Sequence, residues 1–212
     1  MILLVVALAT SITQGQNLLL NGDFNSPNSS AVPDNWSLWS FGGGYSNHEI
    51  IAPAPSVLGN YDGSYQMTLG AANTSGGAGV YQTIAATEGL TYSLNVTAGA
   101  QNWWLPTGQN RLFFLDSGNN QLGLTQINTT DGIHSPDQYD TGVAYQTWSL
   151  NAVAPAGTTQ TKVEFAGYGG GSTWFDNAVL TAQAVPEPGS MTIMAAGLGL
   201  LFAFQVRRRH SA

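Results

Sequence analysis

The chain has 212 residues and a mass of 22.3 kDa, of which only 8% are charged, with 26 Gly, 9 Pro and no Cys. An average globular chain is about 25% charged, so this composition argues against long solvated helices, and the missing thiol excludes disulfides, thiolate zinc sites and cysteine nucleophiles. Three of the five cations are Arg207, Arg208 and Arg209; between Gln16 and Val185 eight Asp and three Glu face only Arg111 and Lys162, a balance of −9. Nucleic acid is therefore not an expected partner, because a polyanion needs clustered Lys and Arg.

In chain order, Ile2 to Ala9 (ILLVVALA) form an apolar run too short to span a bilayer, followed by Thr13 and Gly15 at small-residue positions −3 and −1. Residues 1–15 resemble a secretory signal peptide, although no Lys or Arg precedes the apolar run, and the mature chain is expected to start near Gln16. Strands are expected at Asn17 to Leu20, Gln66 to Gly70, Val80 to Ala85 and Thr91 to Ala98, where Tyr92, Leu94 and Val96 share one face. Further strands are expected at Arg111 to Asp116, ending in the turn Ser117-Gly118-Asn119-Asn120, and at Gln146 to Ala152, Lys162 to Ala166 and Thr173 to Thr181. No helical stretch is evident before residue 189. The spacing predicts an all-β fold with a single β-sandwich over residues 16–184.

Residues 185–212 read Val185-Pro186-Glu187-Pro188, an uncharged stretch from Gly189 to Val206, then Arg207-Arg208-Arg209. A helix over that stretch would be about 27 Å long, enough to cross the hydrocarbon core, and the arginines would stay on the cytoplasmic side. VPEP, a glycine-containing apolar helix and a terminal arginine cluster resemble the PEP-CTERM sorting signal of exported bacterial proteins. That resemblance implies an exosortase as processing partner. It also implies a protein first anchored in the inner membrane by its C-terminal helix, with the domain outside the cytoplasm, and then delivered to the cell envelope or exopolysaccharide matrix.

Five segments carry a second resemblance: Asn17 to Phe24 with Pro33 and Trp36, Gln82 in Val80-Tyr81-Gln82-Thr83, Gly89 to Tyr92, Ala154 to Thr158, and Trp174 to Asn177. Their order and spacing look like the jelly roll of the galactose-binding-like superfamily, and most like the carbohydrate-binding modules that accompany glycan hydrolases. The resemblance implies a polysaccharide or glycoconjugate partner and a structural calcium where the first and last strands meet. Asp176 stands at the family's closing-strand carboxylate. Asn25 replaces the Glu that commonly follows the Phe, so Asp23 would have to turn inward; otherwise Asp176 only caps a turn.

A sugar site needs aromatic planes for pyranose faces beside polar groups. Trp36, Trp148 and Trp174 read as core. Trp103 and Trp104 cannot both point inward from an extended chain, so one is a candidate sugar platform or packs within its loop. Trp39, Phe41, Tyr45 and Tyr168 flank Gly42-Gly43-Gly44 and Gly169-Gly170-Gly171, where bare backbone admits either a ligand or tight turns. Arg111 can hold a sugar hydroxyl or carboxylate through its forked donors, or pair with a local Asp. Asp131, Asp137 and Asp140 form an acidic stretch read as a solvated loop, with calcium as the alternative. His48 and His134 are isolated, and no HExxH, GxSxG, Walker or paired-carboxylate motif occurs. No enzyme is expected. The expectation is a non-enzymatic carbohydrate-binding domain; the alternative is a structural or adhesive matrix protein without a dedicated sugar site.

Overall fold

The computed structural model describes residues 15–26, 32–49, 57–59, 65–100, 107–129 and 143–184. Eleven strands lie among them: β1 (Ser37–Phe41), β2 (Gly44–Glu49), β3 (Val57–Gly59), β4 (Gln66–Ala71), β5 (Gly77–Ala85), β6 (Leu90–Ala100), β7 (Thr107–Leu115), β8 (Gln121–Asn128), β9 (Val143–Val153), β10 (Gln160–Tyr168) and β11 (Gly171–Ala184). They form an all-β sandwich. The first sheet has the order β1-β5-β10-β7-β8, and the second β2-β4-β11-β6-β9-β3. Every pairing is antiparallel except the short β3 against β9.

Alternation builds the interior. Tyr92, Leu94, Val96 and Ala98 of β6 are buried on one face, as their spacing predicts, with Phe175 and Leu180 of β11 beside them. Val80, Leu112, Phe114, Val163 and Phe165 of the first sheet belong to the same core cluster. Phe165 lies 5.2 Å from Phe175 in a stacked pair that spans the two sheets. Fully burying one such side chain stabilises by about 1.5–3 kcal/mol. Trp36 and Trp148 join the core as expected. Trp174 is also buried, but it alternates with Phe175 and so faces away from the core cluster.

The opening segment differs from expectation. Residues 17–20 form no strand, and just after them Asn21 and Phe24 take positive φ and bend the chain. The Leu18 amide donates to the Leu180 carbonyl at 2.8 Å, and side-chain amides replace the rest of a ladder. Asn17 Oδ1 accepts from the amides of Leu19 and Leu180, and its Nδ2 donates to the Ala178 carbonyl at 3.0 Å. Gln82 of β5 accepts from the Leu20 amide at 2.9 Å and donates to the Leu20 and Asn35 carbonyls. The segment is thus tied to both sheets, and Phe24 and Trp36 enter the core against Phe165.

The two glycine runs close crossings between sheets. Gly42 and Gly43 have φ of 58° and 80° and carry the chain from β1 to β2. A Cβ on Gly44 would sit 1.9 Å from the Gly77 carbonyl oxygen. Gly169 and Gly171, with φ of 78° and 115°, make the crossing from β10 to β11. The proposed signal peptide and apolar C-terminal helix lie outside the described residues, apart from Gly15. No helix among the described residues is long and apolar enough to cross a membrane.

Candidate functional site

The outward face of the first sheet gathers rings and charges. Because the face of a strand repeats every second residue, the register sets Trp39 beside Gly79, then Ala166, Gln109 and Asn128 in one row across five strands. The adjacent row is Ser37, Tyr81, Glu164, Arg111 and Gln126. Phe41, Gly77, Tyr168 and Thr107 make the row on the other side.

Two glycines let the rings lie down. A Cβ on Gly79 would come within 2.4 Å of Trp39 Cε2, and one on Gly77 within 2.7 Å of Tyr168 Cδ1. The indole and phenol therefore rest directly on the backbone of β5. Phe41, 52% exposed, stacks on Trp39 with ring centres 6.0 Å apart and 14° between planes. Tyr168 completes the group, 5.7 Å from Trp39 and 6.4 Å from Phe41. The result is a half-exposed aromatic platform, with Gln109 on the strand next to that of Tyr168 and Gln126 and Asn128 one strand further out.

Beside it, Glu164 is only 4% exposed and is held by two cations. Arg111 Nη1 donates to Glu164 Oε1 at 2.8 Å, and Lys162 Nζ donates to Oε2 at 3.2 Å. Arg111 Nη2 donates to Gln109 Oε1, and its Cζ lies 5.3 Å from the centre of the Tyr168 ring. Lys162 Nζ lies 4.0 Å from the Phe113 ring centre and 5.4 Å from that of Tyr81. Ring faces attract cations, so these contacts hold both head groups at the surface of the sheet. Partial burial pushes the Tyr168 phenol above its ordinary range, against the opposing pull of the Arg111 charge. It remains a neutral donor at physiological pH.

The structure brings Trp39, Tyr168 and Arg111 together, with Phe41 alongside. The partner of Arg111 is not a local Asp but Glu164, directly across the strand pair in register. Tyr45 is separated from the set, on the second sheet, where its hydroxyl donates to the Gly171 carbonyl at 3.0 Å and lies 2.6 Å from Ser172 Oγ. Trp103, Trp104, His134, Asp131, Asp137 and Asp140 lie outside the described residues, as do Val185 to Pro188 and the three terminal arginines; so does the His48 side chain. Tyr81, Phe113, Lys162, Glu164 and Gln109 were not expected at a site. Their parity along strands was the available signal, since Lys162 and Glu164 are two residues apart, as are Gln109 and Arg111.

The residues expected at a calcium site, Asp176, Asp23 and Asn25, are all among those described. Asp176 is buried, beside a break in the β11–β6 register, and its Oδ1 accepts from the Asn177 amide at 2.6 Å. The Gly22 carbonyl accepts from the Ala178 amide at 2.7 Å, so the opening segment does reach this point. Asp23 and Asn25 are exposed, however. Asp23 Oδ1 accepts from the Asn25 amide and Asn25 Oδ1 from the Tyr65 amide. No group of three His, Cys, Asp or Glu converges among the described residues. Elsewhere, a shallow hollow of about 410 Å³ on the second sheet is lined by Ser93, Asn95, Asn151, Val179 and Thr181, and by Gly15 and Gln183. Among the described residues that line it there is no ring on which a sugar could stack.

Comparison with solved structures agrees with the sandwich. The enzymatically active domain of bacteriophage CBA120 tailspike protein 4 is 18% identical with a TM-score of 0.55, covering 79% of this chain and 21% of that one. The tandem CBM22-1-CBM22-2 domain of Paenibacillus barcinonensis Xyn10C is 11% identical with a TM-score of 0.51, covering 85% of this chain and 49% of that one. TmCBM61, solved with beta-1,4-galactotriose, is 14% identical with a TM-score of 0.49, covering 79% and 99%. The chain thus spans about a fifth of the tailspike structure and half of the tandem domain. At these identities the similarity concerns the fold, and the structural neighbours are mostly jelly-roll carbohydrate-binding modules. A search of curated protein sequences finds no match. Beginning on the last residue of β11, residues 184–209 carry the PEP-CTERM protein-sorting motif, the signal of an exported protein.

Proposed function

We propose that the chain is an exported, envelope-associated protein whose sandwich binds carbohydrate without catalysis, on the outward face of the first sheet. The observation that carries this reading is the Trp39 ring laid flat on Gly79, stacked with Phe41 and neighboured by Tyr168. A pyranose has apolar C–H faces and polar edges. A flat indole, with the Tyr168 ring beside it and the Arg111 guanidinium over that ring, offers both kinds of contact along the sheet. The chemistry of the face favours binding over hydrolysis. Glycoside cleavage uses two carboxyl groups roughly 5–9.5 Å apart, whereas the strands of this sheet supply one, Glu164, and clamp it between two cations. The sorting motif supports export, with an exosortase as the processing partner and the envelope or matrix as destination.

The test is retardation of the protein in gels containing soluble polysaccharides, comparing wild type with Trp39→Ala. Ring stacking contributes about 1 kcal/mol beyond area burial, so the substitution is expected to weaken binding several-fold with the melting temperature nearly unchanged. Equal mobility of both proteins across a broad glycan panel would defeat the reading.

A further inference from the structure

The acidic body carries only two cations between residues 16 and 185, and both are on this face. The five strands of the first sheet contain three charged residues, Arg111, Lys162 and Glu164, a local charge of +1. Neutralising a buried carboxylate requires one cation. Glu164 has two. Arg111 already holds it at 2.8 Å in the next strand, so Lys162 is surplus to the internal pairing. Lys162 is also the more exposed of the two, with a quarter of its side chain accessible, and its ammonium has three donors, of which Glu164 takes one at 3.2 Å. Its position over Phe113 fixes the charge against the sheet without consuming those donors. Arg111 Nε, in addition, is buried with no hydrogen-bond partner. A local positive charge is thus maintained within residues 16–185, whose sequence is otherwise acidic.

We propose that this face selects an acidic glycan, in which a uronate carboxylate meets Lys162 and the Arg111 edge while a ring further along the same glycan chain covers the Trp39 platform. The proposal rests on the carbohydrate-binding reading of the same face. A neutral polysaccharide would gain the stacking and leave the surplus charge unmatched.

The full-length chain, held in mild detergent, is titrated with polygalacturonate and alginate, each beside its methyl-esterified form, which keeps the backbone and removes the charge. The acidic form is expected to bind about tenfold more tightly, equivalent to about 1.4 kcal/mol. That preference should shrink on raising salt from about 0.05 to 0.5 M, as screening shortens the reach of the charge. Lys162→Gln should abolish the preference while retaining affinity for the ester; Lys162→Arg should restore it. Equal affinity for acid and ester in wild type, or a preference that survives Lys162→Gln, overturns the acidic-glycan proposal. In either case the carbohydrate-binding reading stands if Trp39→Ala still weakens binding. No affinity for any charged or neutral glycan overturns both.

Discussion

A Cβ at position 79 would sit 2.4 Å from Trp39 Cε2, closer than carbon atoms approach one another, so in Gly79→Ala the indole must leave its seat on β5. The methyl itself favours an extended strand, since Gly is disfavoured there. The expected outcome is a protein whose melting temperature is unchanged or slightly raised, with altered tryptophan fluorescence and glycan affinity reduced as far as in Trp39→Ala. Unaltered affinity together with unaltered fluorescence would show that the flat seat of the ring is immaterial. The same logic explains why this position was invisible in the sequence. Gly79 looks like any strand glycine, and its role depends on a ring contributed by the neighbouring β1, forty residues earlier. Arg111 was legible as a lone cation, but its partner was not, because the pairing with Glu164 depends on the register between β7 and β10.

Strands with one apolar face were readable, and strands at sheet edges were not. β6 and β11 emerge where they are expected, β6 extended by one and two residues at its ends and β11 by two and three, because Leu94, Val96, Phe175 and Leu180 must all be buried. β1 and β8 gave no such signal. Each has a neighbour on one side only, β1 is exposed or half-exposed along its length, and Leu122 and Leu124 of β8 are about two-fifths exposed. The opening segment failed for the opposite reason: Asn17 to Leu20 has strand-like residues, yet apart from the Leu18 amide, which donates to the Leu180 carbonyl, its bonds go to side-chain amides. Gln82 is the buried one of the pair, 6% exposed. Gln82→Leu preserves shape and strands the Leu20 amide and carbonyl, which should cost about 1–3 kcal/mol. Chemical denaturation measures that loss, and hydrogen exchange should show the Leu20 amide losing protection before the β6 amides do. A stability equal to wild type would mean that water replaces the amide without penalty.

At the scale of the molecule, one aromatic cluster joins the opening segment to both sheets. Phe165 touches Phe24, Trp36 and Phe175, with ring centres 6.3, 5.5 and 5.2 Å away. Phe165→Ala should therefore lose about 3–5 kcal/mol, seen as a lower denaturation midpoint in a single transition; a loss below 1 kcal/mol would show that the cluster is not where the sheets are held. The placement of β11 has a mechanical consequence. This strand is hydrogen-bonded to β4 on one side and to β6 on the other, and the sorting motif starts on its final residue. Tension entering at residue 184 along the strand would shear it against β6, loading bonds from Thr173 to Ala184 together rather than opening them one after another. A domain tethered by an edge strand would unzip under a small pull. Tethered by this one, it would carry load from a polymer held on the opposite sheet through the core and into the tail.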